Sequence, residues 1–223
     1  SFGEPLPRFL ARGRMLVHGT THAINAVITG HTARTAFLTS MGHREILILR
    51  EGGREEPFNN THGSLQPYVP RALTFEIAGR ILADGSELKG FDERQAEAVL
   101  QQLKVLRVEA VAVCLLWSVV NPAHEKRLGE LIGRFLPGVP YTLSHELNPT
   151  LREYRRASAA AIDASLKPVM SRYLGTLENG LREAGFSGRL LALTSTGGMV
   201  DAAELASSPI RSLNSGPSAA PVA

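Results

Sequence analysis

A single cysteine, Cys114, stands in 223 residues. No disulfide can form within the chain, so a reducing compartment, the cytoplasm, is the expected setting. Cys114 lies in the apolar run Val111-Ala112-Val113-Cys114-Leu115-Leu116 and reads as a small buried hydrophobe. No apolar stretch approaches the ~20 residues of a membrane-crossing helix, and no signal peptide is visible, so no membrane partner is expected. Aromatics are only 6% and the net charge is only +3. The densest basic cluster is Arg152, Arg155 and Arg156. Without a basic stripe interleaved with aromatics, nucleic-acid binding is not expected. The Walker A loop, the Gly-x-Gly-x-x-Gly turn and the Gly-x-Ser-x-Gly elbow are all missing. No metal-ligand set stands out. His18 and His22 share a face only on a common helix, and His124-Glu125 lacks a third ligand nearby in sequence. No metal is expected on this chain alone, and the sequence names no catalytic residue.

What is present is enough to fold. The chain is 43% hydrophobic and 20% charged, which suits one large domain or two small ones. It opens at Ser1 without a methionine and closes just after a turn-to-helix signal, so it reads as an internal piece of something longer.

The pattern along the chain alternates strand and helix. Residues 14–17, 35–39 and 46–49 read as strands, with a helix starting after the polar turn His18-Gly19-Thr20-Thr21. Residues 51–72, rich in glycine, proline and asparagine, read as a long irregular loop. A strand is expected at 74–82 and a turn at Asp84-Gly85-Ser86. Asp92 and Gln95 have capping-box-like spacing before a helix to about Leu106, whose Ala96, Val99, Leu100, Leu103 and Leu106 share a face. The run 109–117 reads as a buried parallel strand. Asn121-Pro122 starts the next helix, 140–144 is a short strand, and a long helix from about Leu151 to Ala184 is open to a break at Pro168. Strands are expected at 189–194 and 209–213. This rhythm argues for α/β layering.

Three turns and one polar stretch could carry chemistry. In His18-Gly19-Thr20-Thr21, with Asn25 following, small residues between strand and helix let backbone amides meet an anion; a helix cap with a tight turn is the plainer alternative. Ser195-Thr196-Gly197-Gly198 follows a strand, and its glycines permit close approach of a ligand or simply an ordinary turn. Ser215-Gly216-Pro217 favours close packing. The stretch from Ser144-His145-Glu146 to Arg152-Glu153-Tyr154-Arg155-Arg156 could bind a carboxylate or phosphate through arginine forks; otherwise it is a solvated, salt-bridged helix start.

In order and spacing these motifs, with Ala33-Arg34-Thr35-Ala36-Phe37-Leu38-Thr39 and Asn121-Pro122-Ala123-His124-Glu125 between them, resemble the hydantoinase A/5-oxoprolinase family, which includes ATP-binding subunits of acetone-type carboxylases. The resemblance covers nearly the whole chain. It implies an α/β fold that is part of an actin-like ATPase, with ribonuclease H-like mixed sheets flanked by helices. Residues 1–156 would close the family's N-terminal module and 157–223 would open the catalytic module. It implies ATP with Mg2+, or Mn2+, in the intact protein, a small-molecule substrate, an oligomeric assembly and a B-type partner subunit. The candidates for binding ATP or substrate are Gly19, Thr20, Thr21, Asn25, Arg152, Arg156, Thr196, Gly197, Gly198, Ser215 and Gly216. The implied activity is ATP-dependent opening of a cyclic amide by phosphorylation of its carbonyl oxygen. Ketone carboxylation is the alternative, and a non-catalytic scaffold, docking a partner through the 51–72 loop, is the second.

Departures from the family pattern bear on these expectations. Its two Asp-x-Gly-Gly-Thr loops are absent and are expected before Ser1 and after Ala223, so the 223 residues alone are expected to bind ATP weakly or not at all. Ser158 stands where many relatives carry threonine, and Ile162-Asp163-Ala164 replaces the Asn-Ala-Tyr expected of hydantoinase-like members, which raises the carboxylase option.

Overall fold

The protein is described here from a computed structural model covering residues 5–52 and 66–215. In chain order its elements are α1 (Leu6–Ala11), β1 (Met15–His18), α2 (His22–Thr29), β2 (Thr35–Ser40), α3 (Ile46–Leu49), β3 (Thr74–Ile77), β4 (Arg80–Ile81), β5 (Glu87–Lys89), α4 (Glu93–Val105) and β6 (Ala110–Cys114). There follow α5 (Ala123–Phe135), β7 (Tyr141–Leu143), α6 (Ser144–Leu147), α7 (Glu153–Glu183), β8 (Arg189–Leu193), β9 (Met199–Asp201) and α8 (Ala202–Ser207), with 3-10 turns at Arg71–Leu73 and Pro209–Ser212. Two compact units result: residues 33–165, and residues 1–32 with 166–223.

The 33–165 unit is built on a parallel sheet of order β3-β2-β6-β7. Side chains alternate between its faces. Ala36, Leu38, Val111 and Val113 pack with Leu100 and Leu103 of α4 and Leu128 and Ile132 of α5. Phe37, Ala110, Ala112 and Cys114 face the other way, onto Ala157, Ala160, Ala161 and Ala164 of α7. Small residues on both partners let that helix lie close to the sheet. Burial on both faces explains why β6 reads as a continuous apolar run. Asp92 caps α4 by accepting from the Gln95 amide at 3.0 Å. Gln95 does not complete the capping box; its side chain bonds Glu76 O and the Ala78 amide instead.

The other unit has the sheet β1-β8-β9, parallel between β1 and β8 and antiparallel between β8 and β9. Met170 and Leu174 of α7 and Leu205 of α8, which belong to this unit, are buried. The α/β class expected from the sequence, with sheets flanked by helices, therefore holds.

Several local expectations do not. Residues 46–49 form a helical turn, not a strand: amides of Ile48 and Leu49 bond back to Glu45 O. Four apolar residues are too few for periodicity to decide. The 74–82 strand breaks at Gly79, whose φ is 140°, and the Ala78 amide goes to Gln95. The 109–117 run is strand only to Cys114, because Glu125 takes the Leu115 amide and Ser40 takes that of Leu116. Residues 209–212 form a 3-10 turn opened by Pro209, which has no amide for a ladder. The long helix α7 runs through Pro168 unbroken; burial of Leu166 and Met170 on either side offsets the lost hydrogen bond. Most of the 51–72 loop lies outside the described residues.

Candidate functional site

The unit that contains β1 and β8 gathers two turns and Ser215 at the carboxyl ends of these adjacent parallel strands, where α/β proteins place their ligands. β1 ends at His18, opposite Ala192 of β8. The loop after β1 carries Gly19, Thr20 and Thr21 into α2. Thr20 Oγ1 accepts from the His22 amide at 3.0 Å, and Asn25 Nδ2 donates to Thr21 Oγ1 at 3.3 Å. A Cβ on Gly19 would stand 3.3 Å from Leu193. The loop after β8 is a hairpin turn. Gly197 N donates to Thr194 O, Thr194 N to Gly198 O, and Gly197 sits at φ 80°, which glycine adopts without strain. Thr194 Oγ1 also lies 3.0 Å from Thr196 Oγ1.

The segment 211–215 ties these loops down. Ser195 Oγ donates to Arg211 O at 2.8 Å and accepts from the Asn214 amide at 3.1 Å. Ser215 Oγ donates to Thr20 O at 3.1 Å. Gly216 lies outside the described residues. Tyr173, on α7, joins the cluster: its hydroxyl is 2.8 Å from His18 Nε2, accepts from Thr20 Oγ1 at 3.4 Å, and its ring stacks on His22 at 4.3 Å. Burial pushes the His18 pKa below its ordinary value, which favours the neutral imidazole. The cluster thus offers hydroxyls, a neutral imidazole and a helix start, which suit anionic oxygens. A cleft of about 820 Å³ lies at the opposite, amino end of these strands; two of its arginines, Arg182 and Arg189, already pair with Glu178 and Asp201.

Arg152 and Arg156 belong to the 33–165 unit. Arg155 between them fits the solvated reading: it is exposed and pairs with Glu51. Arg156 does not; it is 1% exposed. Its guanidinium donates to Leu115 O, Thr150 O, Ser118 Oγ and Ser144 Oγ. Ser144 donates in turn to Glu125 Oε1 at 2.7 Å. Glu125, fully buried on α5, also accepts from the Leu115 amide, the His145 amide and His145 Nδ1, the last at 2.6 Å. Arg152 is exposed, with a left-handed backbone at φ 75°.

Family comparison now places the chain. The hydantoinase/oxoprolinase N-terminal region model matches residues 8–136, and the hydantoinase/oxoprolinase model matches residues 156–223. The chain belongs to the hydantoinase/oxoprolinase family. Among its relatives, caprolactamase subunit alpha of Pseudomonas jessenii is 33% identical over 100% of this chain and 32% of its own length. The acetophenone carboxylase gamma subunit of Aromatoleum aromaticum is 29% identical over 96% of this chain and 31% of its own length. The crystal structure of the ATP-dependent caprolactamase from Pseudomonas jessenii superposes with a TM-score of 0.91, covering 99% of this chain and 32% of that one. The chain thus spans about a third of the length of these relatives, 32% and 31%.

Within this hydantoinase/oxoprolinase chain, sequence reasoning had no means of finding Tyr173, which sits mid-helix with no turn or motif around it. Glu125 and His145 were both visible, in Asn121-Pro122-Ala123-His124-Glu125 and Ser144-His145-Glu146, but their pairing was not. No helix among the described residues is long and apolar enough to cross a membrane.

Proposed function

We propose that this chain is part of an ATP-using subunit that opens a cyclic amide, of the hydantoin or 5-oxoproline type, by phosphorylating the carbonyl oxygen: this activates the carbonyl carbon for attack by water, the ring C–N bond breaks with the nitrogen taking up a proton, and a second water releases phosphate from the acyl phosphate. The observation that carries this reading is the 33% identity to caprolactamase subunit alpha along the full length of this chain. A ketone carboxylase is the second reading, favoured by the 29% identity to the acetophenone carboxylase gamma subunit.

In this proposal, of an actin-like ATPase, residues 1–156 close the N-terminal module and 157–223 open the catalytic one. Gly19, Thr20, Thr21, Asn25, Thr196, Gly197, Gly198, Ser215 and Gly216 serve the nucleotide or substrate. The hydroxyls of Thr21 and Thr196 fit phosphate oxygens as donors. Among the described residues no group of three His, Cys, Asp or Glu gathers to hold a cation. Mg2+ or Mn2+ would come with the nucleotide. A B-type subunit completes the assembly, and the cytoplasm is its compartment.

The test is ATP turnover by the full-length protein with its partner subunit. Stimulation by hydantoin, 5-oxoproline or caprolactam is expected. Stimulation only by acetone or acetophenone with bicarbonate overturns the first reading in favour of the second.

A further inference from the structure

Glu125 and His145 form a buried pair that the nucleotide-binding turns do not use. Burial pushes the Glu125 carboxyl up, but the hydrogen bonds from His145 Nδ1, the Leu115 amide, Ser144 Oγ and the His145 amide outweigh it and hold it below its ordinary value. An ionised carboxylate only accepts, so Nδ1 of His145 carries the proton that faces it. The ring is thereby fixed, and in the neutral imidazole Nε2 presents a lone pair. That atom is buried and has no hydrogen-bond partner among the described residues. His145 keeps only 10% of its side chain exposed, and the nearest carboxylate oxygen, of the exposed Glu146, is 3.8 Å away, beyond hydrogen-bonding reach.

The surroundings are those of a ligand site rather than of a plain core. Ser144 and Leu115 follow directly on β7 and β6, at the carboxyl edge of the parallel sheet. Two non-glycine residues with left-handed backbones flank the network, Trp117 at φ 57° and Arg152 at φ 75°. The Arg156 guanidinium bonds residues close to both, Leu115 O and Ser118 Oγ on one side and Thr150 O on the other. Such strain persists only where surrounding bonds impose it, and it concentrates at ligand sites.

We infer that His145 Nε2 is a ligand-contacting atom that accepts a hydrogen bond from the ring N–H of a cyclic amide at the carboxyl edge of β6 and β7. The choice of an amide rests on the cyclic-amide reading above, because a ketone offers no N–H. Glu125 acts through His145 as a positioning residue, and the exposed Glu146 side chain is the group that has to move aside.

The experiment uses the full-length subunit with its partner and compares 5-oxoproline and hydantoin with their ring N-methyl analogues. In the wild type, N-methylation is expected to raise KM about tenfold, the cost of one hydrogen bond. His145→Asn keeps a donor towards Glu125 in the place of Nδ1 but has no Nε2. It is expected to raise KM for the N–H amides by a similar factor, to leave kcat within a few-fold, and to lose the distinction between N–H and N-methyl substrates. Equal KM values for the two substrate types in the wild type overturn the inference without any variant, even if His145→Asn fails to fold. A folded His145→Asn protein with wild-type KM values also overturns it. A wild type that carboxylates ketones and opens neither amide overturns the cyclic-amide reading and this inference together; a wild type that opens the amides but ignores N-methylation overturns the inference alone.

Discussion

Arg156 and Glu125, both buried, are joined through a single hydroxyl: Ser144 Oγ accepts from Arg156 Nε at 3.3 Å and donates to Glu125 Oε1 at 2.7 Å. Neither charge is left alone in the low dielectric, and each also fixes a backbone group of Leu115, Glu125 its amide and Arg156 its carbonyl. Desolvating both is costly, so the pair is better evidence for a defined geometry at the ends of β6 and β7 than for net stability.

Removing one partner is a different matter. Glu125→Ala leaves the Leu115 amide, the Ser144 hydroxyl and the His145 ring without their acceptor, and it is expected to cost about 3–5 kcal/mol. The sign of the pH dependence follows from the direction of the shift. The folded pKa of Glu125 lies below the unfolded one, so its stabilisation is present above the unfolded value and is lost as pH falls through the folded value. Urea unfolding from neutral pH down through the carboxylate range should show a decline that is shallower in Glu125→Gln than in the wild type. Identical slopes would mean that Glu125 does not titrate with unfolding.

Cys114 should be inert while the protein is folded. Burial pushes its thiol up to about 12, and its Sγ lies 3.6 Å from Glu153 O, where it donates a weak hydrogen bond. The thiolate is the reactive species, and at neutral pH almost none forms. A thiol reagent should label it only in denaturant, at the rate of unfolding. Rapid labelling of the native protein would show that the α7 face of the sheet opens.

The alternation of elements was legible because β2 and β6 are buried on both faces and α4 carries its apolar stripe at helical period. Ile46–Leu49 was not, since four apolar residues carry no period of their own. The turns at 18–21 and 195–198 could be read as candidate sites from glycine and hydroxyl residues between strands and their successors. The bonds of Ser215 and Tyr173 to the first of these turns could not, because those partners lie 195 and 153 positions from Thr20. Arg156 looks in sequence like its neighbour Arg155; only the way α7 packs on the sheet separates a buried guanidinium from a solvated one.

Arg107 offers a stability gain away from either cluster. It follows α4 at φ 51°, with its amide bonded to Lys104 O and the Val108 amide bonded to Leu103 O. This is the double closure of a Schellman ending, in which the left-handed position favours glycine. Val108 and Leu103 are both buried in the same core, as the motif's hydrophobic contact requires. Relief of about 1–2 kcal/mol of left-handed strain exceeds the roughly 0.5–1 kcal/mol entropy cost of glycine. Arg107→Gly should therefore raise Tm by a few degrees, and a lower Tm would show that the arginine side chain contributes contacts of its own.

Tyr173→Phe separates the two ways in which this residue holds the turn after β1. The phenylalanine keeps the stacking on His22, at 4.3 Å and 12° between planes, but loses the hydroxyl that meets His18 Nε2 and Thr20 Oγ1. A single hydrogen bond of this kind is worth about 0.5–1.5 kcal/mol, so the melting temperature should fall only modestly. Tyr173→Ala removes the ring as well and should cost more, since the stacked contact and the buried area go with it. If the turn at Gly19, Thr20 and Thr21 binds nucleotide or substrate, loosening it should be felt there more than in global stability. In the full-length protein, Tyr173→Phe should then raise KM for ATP or for the amide by several-fold with little change in Tm. Unchanged kinetics with an unchanged Tm would mean that the Tyr173 hydroxyl is incidental to the turn, and that the hydrogen bond from Ser215 to Thr20 O holds it unaided.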